Sequence, residues 1–269
     1  MYLEYWNLAE KPFENTSDPR FLCLSEQHEE AKFRLMYAIG ERKAAAMVSG
    51  IFGCGKTVLA QSLIAELNRN EYATAYIFNP LLSNVELLSE ALYQLGMKEE
   101  VALQKTLVLH RIQEMLIHNH EDGKHTVIII DEAHLIEDKT IFEELRLLLN
   151  LEYKSKFLLT LLLFGQPELR AKIFNMKQFE QRIAIRYHLT GLKAVEIKSY
   201  VEHRLEVAGA RQEIFKESSY NALFHCSGGI PRRVNQACDL ALLVGMSNEL
   251  KEIDEEVIEE VASEFQLHS

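Results

Sequence analysis

Residues 50–57 read Gly50-Ile51-Phe52-Gly53-Cys54-Gly55-Lys56-Thr57, and this stretch decides the fold. Gly50, four spacers and Gly55-Lys56-Thr57 satisfy the pattern G-x-x-x-x-G-K-[ST]. Glycine permits the φ values that turn successive backbone amides inward, so a loop of this composition can wrap its N–H groups around an anion. Lys56 would reach the β- and γ-phosphates of a nucleotide, and the Thr57 hydroxyl would ligate Mg2+. Upstream, residues 44–49 (AAAMVS) are small and apolar enough for a buried strand. Downstream, Val58, Leu59, Leu63, Ile64 and Leu67 keep one face of a helix apolar, and the N-terminus of that helix would point at the phosphate. Gly50, Gly53, Cys54, Gly55, Lys56, Thr57 and Val58 are therefore the expected nucleotide-binding residues.

The rest of the chain sets bounds on that reading. With 269 residues the chain is long enough for one large domain or two modest ones, and 48% hydrophobic residues suffice for a sizeable core. A net charge of −11 argues against the chain as a whole being an electrostatic trap for nucleic acid. Basic residues cluster only locally, at Arg42-Lys43, at Lys154 with Lys156, and at Lys172 with Lys177, without the interleaved aromatics of a single-strand platform. Cys23, Cys54, Cys226 and Cys238 are scattered and form no C-x-x-C, as for buried thiols of a reducing compartment. Glu4 and Glu10 interrupt the short N-terminal apolar run, so no secretory signal is visible there. The longest apolar stretch, residues 157–165, is far short of the roughly 20 residues a spanning helix needs. A soluble, cytoplasmic chain is expected. Residues 118–125 (HNHEDGKH) read as a solvated turn rather than a metal site.

Strands are expected at 72–78, 126–131, 157–166 and 185–189, with helices at roughly 84–95, 101–118 and 140–150. Strands alternating with helices argue a parallel sheet, and the continuous β-branched run at 126–131 suits a strand covered on both faces. From about Ala194 every segment carries helical spacing and none carries strand signal. Gly228-Gly229 closes one helix and Pro231 opens the next. The expected organisation is an α/β nucleotide domain over residues 1–193, with a five-stranded parallel sheet, followed by a small all-helical lid over 194–269.

VIIIDEAH (127–134) supplies the chemistry. Asp131, at the end of a buried strand, is placed to hold Mg2+ through its water shell. Glu132 can orient and deprotonate the attacking water, so the pair favours ATP hydrolysis over transfer to a small acceptor. GTPase signatures such as N-K-x-D are absent. A helicase of the DEAH type needs a second nucleotide-cleft domain with its own strands, and the residues after 194 leave no room for one. His134 is then a strand-to-helix residue that senses the γ-phosphate state.

With these parts in place the chain resembles the AAA+ ATPases, specifically the ExeA-like general secretion pathway protein A family. The likeness runs from YLEYWNLAEKPFENTSDPRFLCLSEQHEEA through GIFGCGKT, VIIIDEAH, LLLFGQPEL and QRIAIRYHL to GGIPRRVNQACDLALL. It implies an AAA+ P-loop NTPase fold with ATP and Mg2+ as ligands. It also implies that Gln166 is the sensor at the tip of the fourth strand. Arg182, with Arg186 as its rival, would be an arginine finger acting on a neighbouring subunit's ATP. Arg232, with Arg233 as its rival, would be the lid sensor, and Phe13 would approach the base unless it simply packs in the core. A homo-oligomeric ring or filament, peripheral to the inner membrane through a protein partner of a secretion or pilus machine, is the implied setting. The alternative is a DNA-binding ATPase that regulates transposition or another DNA transaction. Relatives of this type often continue into a membrane span and a peptidoglycan-binding domain, whereas this sequence ends at Ser269, as a fragment or a stand-alone ATPase would.

Overall fold

The computed structural model describes residues 2–15, 18–98 and 104–266. In chain order the strands are β1 (Ala45–Gly50), β2 (Tyr72–Ile77), β3 (His125–Ile130), β4 (Glu152–Tyr153), β5 (Lys156–Phe157), β6 (Leu159–Gly165) and β7 (Ile183–Leu189). The helices are α1 (Tyr2–Tyr5), α2 (Glu26–Gly40), α3 (Lys56–Glu66), α4 (Asn84–Gln94), α5 (Lys105–Glu121) and α6 (Lys139–Leu148). They continue as α7 (Pro167–Phe174), α8 (Lys177–Glu180), α9 (Ala194–Val207), α10 (Glu217–Ser227), α11 (Pro231–Ser247) and α12 (Glu255–Gln266). The chain divides into two compact units, one of residues 28–52 and 59–189, the other of residues up to 27, 53–58 and 190–269.

The first unit holds a five-stranded sheet in the order β2-β3-β6-β1-β7, with every neighbouring pair parallel. β1, β3 and β6 are buried at every position, as apolar strands in the middle of a parallel sheet must be. β7 alternates in burial, in keeping with its place at the sheet edge. Ser49 pairs with Gly165 and Ile130 with Leu163, so Gly50, Asp131 and Gln166 all leave the sheet at its carboxyl edge. Ile128, Ile130, Leu161 and Leu163 join Leu88, Ile112 and Phe142 in one core. The expected five strands are present, although β7 begins two residues earlier than its sequence signal. The expected helix start at 101–103 lies outside the described residues. The hairpin β4–β5 was not legible in the sequence, because Lys154 and Ser155 take the positive φ of its turn without the usual glycine or asparagine.

In the second unit α9–α12 enclose Val201, Leu205, Phe215, Leu223, Cys238, Leu242 and Ile258. The N-terminal segment belongs to this unit, because its large apolar side chains are buried in the helical core. Trp6 donates its indole N–H to the Leu242 carbonyl at 2.9 Å, and Phe13 packs edge-on to Phe215 with centroids 6.1 Å apart. Arg204, only 5% exposed, ties the segment down by donating to the carbonyls of Pro12 at 2.6 Å and Glu14 at 2.8 Å. The compact unit thus gathers residues from three parts of the chain, where a linear reading sets a single boundary at 193/194. Arg204→Ala leaves two carbonyls without their donor, and an expected loss on the order of 2–4 kcal/mol follows from the cost of such groups. Urea denaturation followed by circular dichroism measures it, and an unchanged midpoint would contradict the anchoring role.

Candidate active site

The chain leaves β1 at Gly50 and turns through a loop in which Gly53 and Gly55 have φ of +84° and +94°. These are left-handed conformations that a side chain resists, and they face consecutive amides the same way. Lys56 is the first residue of α3 and only 5% exposed, and Thr57 follows it, half-buried. Cys54, between the two glycines, is fully buried. The N–H of Arg232, second residue of α11, donates to the Gly53 carbonyl at 3.3 Å. A Cβ on Gly53 would stand 2.8 Å from the Arg232 Cβ, so only glycine allows this approach. Arg232 lies against the loop, whereas Arg233 is exposed.

At the carboxyl edge of the sheet Asp131 is 2% exposed. Its Oδ2 accepts from the Tyr76 hydroxyl at 3.1 Å and its Oδ1 from the Glu132 N–H at 2.8 Å. Burial, reinforced by the Asp131 charge, pushes the Tyr76 hydroxyl far above its usual range, so it stays a donor. Register sets this contact, since β2 lies beside β3 with Tyr76 opposite Ile129, and sequence reading missed Tyr76. The Asp131 carboxylate, at a strand end, is a hard oxygen ligand of the kind Mg2+ prefers.

Glu132 has φ of +49°, a left-handed backbone that costs a non-glycine residue roughly 1–3 kcal/mol. Its Oε2 is shielded from solvent, finds no hydrogen-bond donor among the described residues, and stands 3.3 Å from Nδ1 of His134. Gln166, which caps the N-terminus of α7, donates its backbone N–H to the same Nδ1 at 3.3 Å. Lys172 donates its ammonium to the carbonyls of His134 and Ile136, the latter at 2.9 Å, and so fixes the turn Ala133–Leu135. That role corrects the expectation of Lys172 as part of a basic surface patch.

Arg182 directly precedes β7, and Ile183 pairs with Ala45, so Arg182 sits at the amino edge of the sheet. Gly50 lies at the other end of β1, about 17 Å away at the ~3.3 Å rise of a parallel strand. Arg186 is engaged by Glu180, donating to its carbonyl at 2.9 Å and pairing with its carboxylate at 3.3 Å. The Phe13 ring is enclosed by the helical core, which accounts for its place by packing. At the amino edge Arg42 lies 3.3 Å from Nδ1 of His120, whose ring is edge-on to Tyr153, and Lys154 stands 4.9 Å over the Tyr153 ring. Burial first, and then Arg42, Lys156 and Lys154, hold His120 below its usual pKa. The tertiary structure therefore interleaves cations with aromatics that sequence reading kept apart. Glu121 shares the patch and accepts from the Tyr153 hydroxyl at 3.0 Å. Among the described residues no helix is long and apolar enough to cross a membrane.

Residues 39–173 match a protein family described as AAA domain. The General secretion pathway protein A of Aeromonas hydrophila is 37% identical over 252 residues, covering 92% of this chain and 45% of that protein. The chain thus spans just under half the length of this relative. Among solved structures, the ORC2 protein of Aeropyrum pernix in its ADPNP-ADP complexes is similar with a TM-score of 0.72 and 18% identity, over 95% of this chain and 71% of that one. The Drosophila ORC bound to DNA gives 0.71 and 16% over 98% of this chain and 66% of that one. The Thermotoga maritima RuvB branch migration motor gives 0.56 and 15% over 89% and 69%. These likenesses show an AAA+ fold.

Proposed function

This chain belongs to the AAA domain family, and on that premise we propose that it binds ATP with Mg2+ and hydrolyses it to ADP and phosphate. The amides of the loop at 53–57 hold the phosphates, and the compact charge of Lys56 lies between the β- and γ-groups. Thr57 and Asp131 are the residues that would hold Mg2+, which would neutralise charge on the phosphate oxygens. Glu132 accepts the proton of the attacking water. The observation that carries this is its solvent-shielded Oε2, open to a donor and one residue from Asp131. Gln166 orients the water or the γ-phosphate, and Arg232 reports the state of the loop to the helical unit through Gly53.

Arg182 stands at the sheet end away from Gly50, which supports a role on the ATP of a neighbouring copy rather than its own, in a ring or filament. The name of the Aeromonas relative supports a setting in secretion, and to this the proposal adds assembly of a secretion or pilus machine in the cytoplasm beside the inner membrane. The convergence of Arg42, Lys154 and Lys156 on His120 and Tyr153 favours a second reading, an ATPase of DNA transactions. At −11 overall, only weak contact with labelled duplex is expected, in the roughly 10⁻⁴–10⁻⁶ M range of non-specific binding. Nanomolar binding that appears only with ATP would overturn the secretion reading.

Lys56→Ala tests the core of the proposal. It is expected to abolish binding of a fluorescent ATP analogue and Mg2+-dependent phosphate release together. Wild-type affinity in this variant would show that the loop does not hold the nucleotide.

A further inference from the structure

Two elements of the proposed site meet at one atom. The backbone N–H of Gln166 donates to Nδ1 of His134, and that nitrogen also stands 3.3 Å from Oε2 of Glu132. A backbone N–H can only donate, so Nδ1 is the acceptor and the ring proton sits on Nε2. In that tautomer Nδ1 has no hydrogen to offer Glu132, in agreement with an Oε2 that finds no donor among the described residues. The backbone that carries the ring is held in place. His134 is 11% exposed, its carbonyl is held by Lys172, and a Cβ on Gly165 would stand 3.2 Å from its backbone nitrogen. Glycine at 165 leaves room for the end of β6 to come this close.

We propose that His134 is a positioning residue for hydrolysis, a single imidazole nitrogen that holds the tip of β6 in place beside the carboxylate of Glu132. While Nδ1 holds the Gln166 N–H, Oε2 of Glu132 stays open to the O–H of the attacking water. If the tip of β6 moves and withdraws that N–H, the neutral ring exchanges tautomers through solvent, losing the proton on Nε2 and gaining one on Nδ1. The imidazole then donates to Oε2 and occupies the lone pair that water needs. The position of Gln166 is thereby read out as a free or a clamped Glu132. This inference rests on the hydrolytic reading of Glu132.

Asparagine and glutamine discriminate the two ring nitrogens, since an asparagine amide oxygen reaches the place of Nδ1 and a glutamine amide reaches that of Nε2. Steady-state hydrolysis and ATP affinity are measured for the full chain, Glu132→Gln, His134→Ala, His134→Asn and His134→Gln, with thermal midpoints recorded for each. His134→Ala and His134→Gln are expected to lose about 10–100-fold in kcat with KM within about twofold, as a misplacement near 1 Å does. His134→Asn is expected to turn over about tenfold faster than His134→Gln. Wild-type kcat in His134→Ala, a loss confined to KM, or equal losses in the asparagine and glutamine variants would overturn the inference. Should His134→Ala not fold, the asparagine–glutamine comparison decides alone. A wild-type rate in Glu132→Gln would instead overturn the hydrolytic reading, so the two failures are distinct.

Discussion

Replacing Glu132 with glutamine is expected to lower ATP turnover by about 10²–10⁴-fold, the usual contribution of a positioned proton acceptor. ATP affinity is expected to stay within about twofold of wild type, because the substitution keeps the shape of the side chain and leaves the loop at 53–57 untouched. The carboxylate is one atom different from the amide, but the amide cannot take a proton from water. Its nitrogen also brings a donor to within reach of Nδ1 of His134, which stands 3.3 Å from the present Oε2. That contact would compete with the Gln166 N–H and hold the side chain turned away from water. Phosphate release under single-turnover conditions measures the chemical step, and titration with a fluorescent ATP analogue measures binding. Hydrolysis at the wild-type rate would remove Glu132 from the chemistry, and a parallel loss of binding would make it a structural residue.

Gly229→Ala is expected to destabilise the helical unit by about 3–5 kcal/mol, at the upper end of what single substitutions do. Gly229 has φ of +72°, and a Cβ there would stand 2.2 Å from the Leu192 carbonyl oxygen. The obstacle is backbone, and it cannot rotate away. The same two residues are joined by the Leu192 N–H, which donates to the Gly229 carbonyl at 2.6 Å, so relieving the clash breaks this bond. Gly228, with φ of +61° and nothing within 4 Å of its notional Cβ, is the control. Gly228→Ala is expected to cost only the roughly 1–2 kcal/mol of a left-handed alanine. The consequence reaches the nucleotide, because Gly229 lies two residues before Pro231, where α11 begins and brings Arg232 onto Gly53. Thermal melting and nucleotide titration of both variants check this. Equal melting of the two glycine variants would show that the approach to Leu192 does not constrain the fold.

The glycine-rich turn after β1, the strands and the place of Asp131-Glu132 at a strand end were legible in the sequence because each depends on residues adjacent in the chain. The β-branched run at 126–130 suits a covered strand, and glycines at 53 and 55 mark backbone that can turn left-handed. The same holds for Gly228 as the left-handed cap of α10 and Pro231 at the start of α11. What surrounds those residues was decided only by tertiary structure. Tyr76 reaches Asp131 because β2 lies beside β3, and His134 meets Gln166 because β3 lies beside β6. Strand order is set by how buried faces pack, not by any local pattern, so no reading of neighbours along the chain could pair these residues. Register likewise put Arg182 at the sheet edge away from Gly50, and long-range burial drew Trp6 and Phe13 into the helical unit under Arg204. Local chemistry in the sequence named the groups that can react, and packing between distant segments chose their hydrogen-bond partners.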